Sequence, residues 1–192
     1  TPEDAEVHGL AALLEIQASR LRARIGPDGE PILLLDQNRA RWDRMMIGRG
    51  LAAIERARRL GQSPGPYRLQ AEIAACHARA LMADATDWAR IAALYGELLV
   101  VMPSPVVELN RAVAVSMAHG PAAGLEVVEG LAEVRSLQGY HLLPSVRGDL
   151  LFKLGRLAEA RIEFERAASL TLNERERTVL LGRAAACDDD AG

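Results

Sequence analysis

Apolar residues recur along most of the chain every three or four positions, the spacing of one face of an α-helix. Pro and Gly interrupt this pattern at short intervals, and no stretch shows the sustained alternation of a β-strand. The pattern therefore predicts an all-α protein. Nine helices are expected, over residues 4–25, 39–60, 66–83, 87–102, 105–118, 121–133, 140–154, 157–170 and 173–187.

Residues at several predicted helix starts support these boundaries. Thr86 and Ser104 each precede a helix and offer a side-chain oxygen to its free backbone N–H groups. Pro105 and Pro121 fit first-turn positions, where the N–H that proline lacks has no partner within the helix. Most connections are short, which favours antiparallel neighbouring helices.

The connection GPDGEPILLLDQ, residues 26–37, is longer than the others. It contains an apolar run, Ile32–Leu35, which we expect to pack into the core between the first two helices. A short β-strand is the alternative, although this pattern offers a single strand no partner.

An internal repeat indicates the architecture. The turn at Gly155 recurs at Gly120 and near Thr86, with spacings of 35 and 34 residues, the period of the tetratricopeptide (TPR) repeat. We therefore predict a TPR-like α-solenoid of about nine antiparallel helices in a single domain, residues 1–192. Its helix pairs cover 4–60, 66–102, 105–133 and 140–170, with a capping helix at 173–187. Within 141–172 the TPR pattern is matched by Gly148, Leu151, Gly155, Ala160, Phe164 and Ala167.

Composition and charge narrow the classes of partner and compartment. The net charge of −3 makes nucleic acid an unexpected direct ligand, because phosphate-binding proteins normally carry a basic excess. Cys76 and Cys187 form no CxxC, which is typical of a reducing cytoplasm. The acidic start lacks a signal peptide's basic region, and no apolar run could span a membrane. We expect a cytoplasmic protein, and the missing initiator Met favours a domain cut from a longer chain.

Catalytic and metal-binding patterns do not emerge from the sequence. The four histidines show neither HxxxH nor HExxH spacing. The adjacent Cys76 and His77 point to different faces of a helix. We therefore expect a non-enzymatic protein without catalytic, metal-binding or cofactor-binding residues.

The segment DQNRARWDR, residues 36–44, is unusually polar for the start of a helix. Residues 39 to 59 hold seven arginines against two acids. One interpretation is a docking surface, because Arg and Trp dominate interface hot spots. The alternatives are a solvated helix face, or a segment that fixes the start of the second helix, with Asp36 capping it and Trp42 buried. The docking candidates are Asp36, Gln37, Arg39, Arg41, Trp42, Asp43 and Arg44, with Asp43 pairing with a neighbouring arginine.

A second candidate surface follows from the TPR pattern, because the first helix of each TPR pair normally lines a concave groove that binds extended peptides. A polar line on this face could hold a peptide backbone or a carboxylate. The alternative for His77 and Asn110 is that they satisfy internal carbonyls. The groove candidates are His77, Asn110, Arg111, Ser145 and Asp149.

Six blocks together resemble one protein family. They are LLLDQNRARWDR, GPYRLQAEIAACHA, TDWARIAALYGELL, PSPVVELNRAVAV, GPAAGL and YHLLPSVRGDLLFKLGR. In this order and spacing they resemble the TPR-like C-terminal extension of bacterial extracytoplasmic-function (ECF) RNA polymerase sigma factors. The resemblance implies that two sigma regions precede this chain in the full-length protein and that this fragment does not itself bind DNA.

The resemblance also implies a regulatory role. The extension would contact the sigma regions, the RNA polymerase core or a regulatory protein, and so modulate promoter-specific transcription initiation. The alternative is a groove that senses a small molecule or peptide and controls the attached sigma factor.

Overall fold

A computed structural model describes residues 3–27 and 29–189. Within these ranges the chain forms α-helices and short 3₁₀ turns, so the predicted all-α class is confirmed. None of the helices in the described part combines the length and apolar character needed to cross a membrane. The nine α-helices of these ranges are α1 (Ala5–Ser19), α2 (Arg44–Arg59), α3 (Pro66–Arg79), α4 (Trp88–Val101), α5 (Pro105–His119), α6 (Pro121–Glu129), α7 (Leu142–Lys153), α8 (Leu157–Leu170) and α9 (Glu174–Asp189).

The chain divides into two compact units, Thr1–Pro103 and Ser104–Gly192. In the first unit, α1 packs against both α2 and α3, and α4 packs against α3. Two glycines permit this close packing. A Cβ on Gly9 would lie 2.6 Å from the backbone nitrogen of Arg68, and one on Gly50 would lie 2.6 Å from Cγ1 of Ile16. The approach of α1 to its neighbours therefore depends on small residues.

In the second unit, each helix from α5 to α9 packs against the next one along the chain. Phe164 is fully buried on α8, and a Cβ on Gly148 of α7 would lie 2.9 Å from its ring. Gly120 and Gly155 occupy the turns with φ of 95° and 73°, a region that favours glycine. The predicted turns at Gly120 and Gly155 are confirmed, and Gly148, which matches the TPR pattern, lies where α7 and α8 approach closely.

Several predicted boundaries are corrected. The first helix ends at Ser19 rather than residue 25, and a 3₁₀ turn follows over Leu21–Ala23. The second helix begins at Arg44 rather than residue 39. Asp87 rather than Thr86 caps α4 through its side chain, accepting from the backbone nitrogen of Arg90 at 2.9 Å. Ser104 holds the N-cap position of α5 without a side-chain hydrogen bond.

The apolar run Ile32–Leu35 packs only in part. Leu34 contacts the core of the first unit, whereas the side chain of Leu33 is 73% exposed. Within the described ranges, extended pairing here is limited to one isolated bridge between Ile25 and Pro31. The prediction that the whole run enters the core was wrong, because the segment turns and exposes alternate residues.

Candidate functional site

The DQNRARWDR segment forms two capped turns in place of one helix start. The side chain of Asn38 accepts from the backbone nitrogen of Ala40 at 3.0 Å and caps a 3₁₀ turn, Arg39–Arg41. Asp43 then caps α2, accepting from two backbone nitrogens at 2.9 and 3.0 Å. The prediction that Asp36 caps the helix was therefore wrong, and the carboxylate of Asp43 serves this purpose rather than pairing with an arginine.

Arg39 is buried at the centre of the first unit, with 4% of its surface exposed. Its Nη1 donates to the backbone oxygens of His77 at 2.8 Å and Ala80 at 3.0 Å. Its Nη2 donates to the hydroxyl of Thr86 at 3.0 Å. Free carbonyls at a helix C-terminus carry partial negative charge, so a guanidinium is a favourable partner there. Arg39 thus joins the start of α2 to the end of α3 and to the turn before α4.

Trp42 and Gln37 complete this buried group. Trp42 is 2% exposed, and its ring lies 5.2 Å from the guanidinium carbon of Arg39 and 5.6 Å from that of Arg20. Gln37 donates to the backbone oxygen of Ile32 at 3.0 Å. The interpretation of Gln37, Arg39 and Trp42 as docking residues is corrected, because burial makes them inaccessible to a partner.

The remaining candidates of the segment lie at the surface. Asp36, Arg41, Asp43 and Arg44 are exposed, and Asp43 is already engaged as the helix cap. We call Asp36, Arg41 and Arg44 the outer face of the segment. Met45 follows Arg44 in the chain and is 74% exposed. The surface of this segment that is available for docking is therefore smaller than the sequence predicted.

His77 lies beneath Arg39 and is neutral at pH 7. Its ring contacts Trp88 edge to face, with centroids 5.1 Å apart. Burial, reinforced by the charges of Arg39 and Arg20, lowers the pKa of His77 to about 4. Its buried Nδ1 has no hydrogen-bond partner among the described residues, so the alternative that this ring satisfies an internal carbonyl is not supported at that atom.

The predicted groove residues are distributed between the two units. His77 belongs to the first unit, and Asn110, Arg111, Ser145 and Asp149 belong to the second. Asn110 is exposed and Ser145 is half-buried. Arg111 pairs with a carboxylate of its own helix, Glu108, at 2.6 Å.

Asp149 is held by two cations. Its carboxylate pairs with Lys153 at 2.7 Å and with Arg183. Burial tends to raise the pKa of Asp149, but the hydrogen bonds from Lys153 and Arg183 outweigh it and hold the pKa below its ordinary value. This carboxylate is therefore already neutralised by helices of its own unit, which weakens its case as a groove residue.

Sequence reasoning missed a carboxylate that joins three helices. Glu72 on α3 is buried and pairs with Arg58 at 3.0 Å, Arg68 at 3.3 Å and Arg90 at 3.5 Å. Burial tends to raise its pKa, yet the hydrogen bonds and charges of Arg58 and Arg68 lower it overall. The only local signal was the four-residue spacing between Arg68 and Glu72. The contacts from α2 and α4 depend on the tertiary fold.

Sequence reasoning also missed a cationic pair at the end of α1. Arg20 and Arg24 both donate through Nη2 to the side-chain oxygen of Gln17, Arg24 at 2.8 Å. No charged motif in the sequence marks this site, because its acceptor is a neutral glutamine.

Comparisons with known proteins give a family model and a relative that are similar to this chain. Residues 1–58 match a family model described as a family of unknown function (DUF6596). The chain is 50% identical over 175 residues to "Uncharacterized protein R00370" of Rhizobium meliloti (strain 1021). That alignment covers 91% of this chain and 41% of the relative, so the chain spans about two-fifths of its length. No solved structure matches.

Proposed function

We propose that this chain is a non-catalytic, cytoplasmic interaction domain of an ECF sigma factor. It modulates promoter-specific transcription initiation by contacting the sigma regions of the same full-length protein, the RNA polymerase core or a regulatory protein. The observation that carries the proposal is the order and spacing of the six sequence blocks, which extend from residue 33 to residue 156. The greater length of the Rhizobium relative is compatible with additional regions in such proteins.

The accessible part of the DQNRARWDR segment is the first contact surface to test. Arg41 and Arg44 are exposed, and Met45, which follows Arg44 in the chain, is 74% exposed. Arginine and large apolar side chains at the centre of an interface contribute most of the binding free energy in many complexes. Arg41 lies between the buried Arg39 and Trp42 in one capped 3₁₀ turn, so the chain is anchored on both sides of it.

Replacing Arg41 and Arg44 together by glutamate is expected to change transcription from a reporter controlled by the full-length protein by about fivefold or more. The physical reason is that the loss of one or two hot-spot contacts lowers the binding constant for the partner by about this factor. Both side chains are exposed, so tryptophan fluorescence should report normal folding. Arg39 is excluded from this variant because it is buried and hydrogen-bonded, so its replacement is expected to destabilise the first unit.

The matched control replaces Arg56 and Arg59 by glutamate, since both are exposed on α2 outside the segment. This variant has the same net charge and should leave transcription within about twofold of wild type. Equal transcription from wild type and the Arg41/Arg44 variant, with both folded, would remove this surface from the proposal.

A further inference from the structure

Two arginines at the end of α1 converge on one neutral oxygen. Arg20 follows the last residue of α1, and Arg24 follows the 3₁₀ turn Leu21–Ala23. The Nη2 of each donates to Oε1 of Gln17, and the Nη2 of Arg24 also donates to the backbone oxygen of Gln17 at 3.2 Å. An amide oxygen thus occupies the position that a carboxylate takes in a paired-arginine site.

The positive charge at this corner is not neutralised within the described residues. Neither Arg20 nor Arg24 forms an ion pair there, whereas Arg49 of the same unit pairs with Glu15 at 2.9 Å. Burial, together with the charges of Arg24 and Arg39, lowers the pKa of Arg20 to about 10. A half-buried cation that is repelled by two neighbours favours the arrival of an anion.

Unsatisfied donors lie in the same group of side chains. Arg39 and Trp42 are each more than nine-tenths buried, and Nε of Arg39 and Nε1 of Trp42 have no acceptor among the described residues. The Trp42 ring contacts the guanidiniums of both Arg20 and Arg39. Buried donors normally find acceptors, but these two atoms are out of a partner's reach, so binding of an anion at this corner depends on Arg20 and Arg24.

Exposed apolar residues lie next to the two arginines in the chain. Leu21 is 61% exposed and Ile25 is 57% exposed, each next to one of the arginines in the chain. The backbone nitrogen of Ile32 donates to the oxygen of Arg24 at 2.8 Å, which brings the exposed Leu33 into the same neighbourhood. A free inorganic anion would make no use of these apolar groups, whereas a protein segment would cover them.

We infer that Arg20 and Arg24 bind a carboxylate of a partner protein segment whose flanking apolar side chains cover Leu21, Ile25 and Leu33. The carboxylate displaces Oε1 of Gln17 as the acceptor and forms the paired bonds that two guanidiniums favour. This inference rests on the proposed function, since it specifies the chemistry of the partner: an acidic side chain between apolar ones.

The test measures fluorescence anisotropy of two labelled peptides with the whole 192-residue chain at low ionic strength. One peptide alternates glutamate with leucine, and the other alternates glutamine with leucine. We expect the glutamate peptide to bind about tenfold or more tightly than the glutamine peptide, because charged hydrogen bonds are roughly twice as strong as neutral ones. Equal binding of the two peptides would overturn the inference.

Variants locate the binding. Gln17→Glu supplies an internal carboxylate to both arginines, so it should raise the midpoint of unfolding and weaken glutamate-peptide binding about tenfold. Arg24→Gln should weaken binding similarly without the gain in stability. The matched control is Arg22→Gln, since Arg22 is exposed in the 3₁₀ turn between the two arginines, and the hydrogen bonds to Gln17 come from Arg20 and Arg24. Wild-type affinity in Gln17→Glu and Arg24→Gln would contradict the assignment.

Inorganic phosphate distinguishes a free oxyanion from a protein segment. If phosphate displaces the peptide at equal concentration, or stabilises the chain as strongly, the site takes a free anion and the partner segment is rejected. If the chain self-associates and Arg24→Gln abolishes this, the occupant is a second copy of the chain, and the partner segment is again rejected. Peptide binding without binding to either the sigma regions or the RNA polymerase core would leave this site standing and contradict direct contact with the sigma factor or the core in the proposed function. If Gln17→Glu leaves binding to the sigma regions unchanged, this site is rejected and the proposed function stands.

Discussion

Replacing Arg39 by alanine is expected to lower the free energy of unfolding of the first unit by about 3–5 kcal/mol. The change leaves the carbonyls of His77 and Ala80 and the hydroxyl of Thr86 without their donor. Each buried acceptor left unsatisfied costs about 1–3 kcal/mol, and relaxation toward water recovers part of the sum. Three separate segments of the unit meet at this guanidinium. Few other side chains of the unit connect as many segments.

Urea unfolding followed by tryptophan fluorescence measures this loss. Trp42 and Trp88 are the two tryptophans of the sequence, and both belong to the first unit. Arg39→Lys should recover only a minor part of the lost free energy of unfolding. Its single ammonium group cannot reproduce the two Nη atoms of the guanidinium, each of which has its own acceptors. The control is Arg41→Ala, an exposed neighbour in the same turn, which should stay within about 0.5 kcal/mol of wild type. An Arg39→Ala protein that unfolds at the wild-type urea concentration would contradict the role of Arg39 described above.

Lowering the pH from 7 to 4 is expected to cost the first unit about 3 kcal/mol through His77. The folded-state pKa of His77 is about 4, below the ordinary value of 6.5. Between these values the unfolded state binds the proton and the folded state does not. Stability from this group is therefore complete above about pH 6.5 and decreases as the pH falls toward 4.

His77→Phe should remove this dependence while keeping the aromatic contact with Trp88. At pH 7 its stability should be close to that of wild type, because Nδ1 of His77 makes no hydrogen bond in the described structure. The measurement compares urea midpoints at several pH values for wild type, His77→Phe and His119→Phe. His119 is exposed on α5, so its variant should retain the wild-type pH dependence. The same slope in wild type and His77→Phe would mean that His77 is not the group responsible.

The helices could be predicted from the sequence because their signals are local. The apolar spacing identified all nine helices of the described ranges, and the TPR pattern placed Gly148 and Ala160 where α7 and α8 approach closely. Small residues facing a large ring, and glycines at turns with positive φ, leave a recognisable spacing in one stretch of chain.

The burial of Arg39 could not be predicted in this way. Arginine is almost never fully buried unless its donors are satisfied, so an exposed docking role was the better expectation from composition alone. Its acceptors lie 38 to 47 residues later in the chain, and no local pattern joins them. The start of α2 was misplaced for a related reason, because a 3₁₀ turn capped by Asn38 precedes the helix capped by Asp43.

The cationic pair at Gln17 could not be predicted from the sequence either, for a different reason. Arg20 and Arg24 occupy ordinary positions near a helix end, and their four-residue spacing is common in helices. What distinguishes them is that both donate to the neutral side chain of Gln17 and neither forms an ion pair among the described residues. That property belongs to the packed structure and has no sequence motif.

The most direct test of the central claim is a pull-down of the 192-residue chain against the sigma regions of its full-length protein and against the RNA polymerase core. Wild type should retain the sigma regions or the core, and the Arg41→Glu/Arg44→Glu variant should retain less while the Arg56→Glu/Arg59→Glu control behaves as wild type. Failure of the folded wild-type chain to bind either the sigma regions or the core would contradict the proposal that this domain acts on the sigma factor by direct contact.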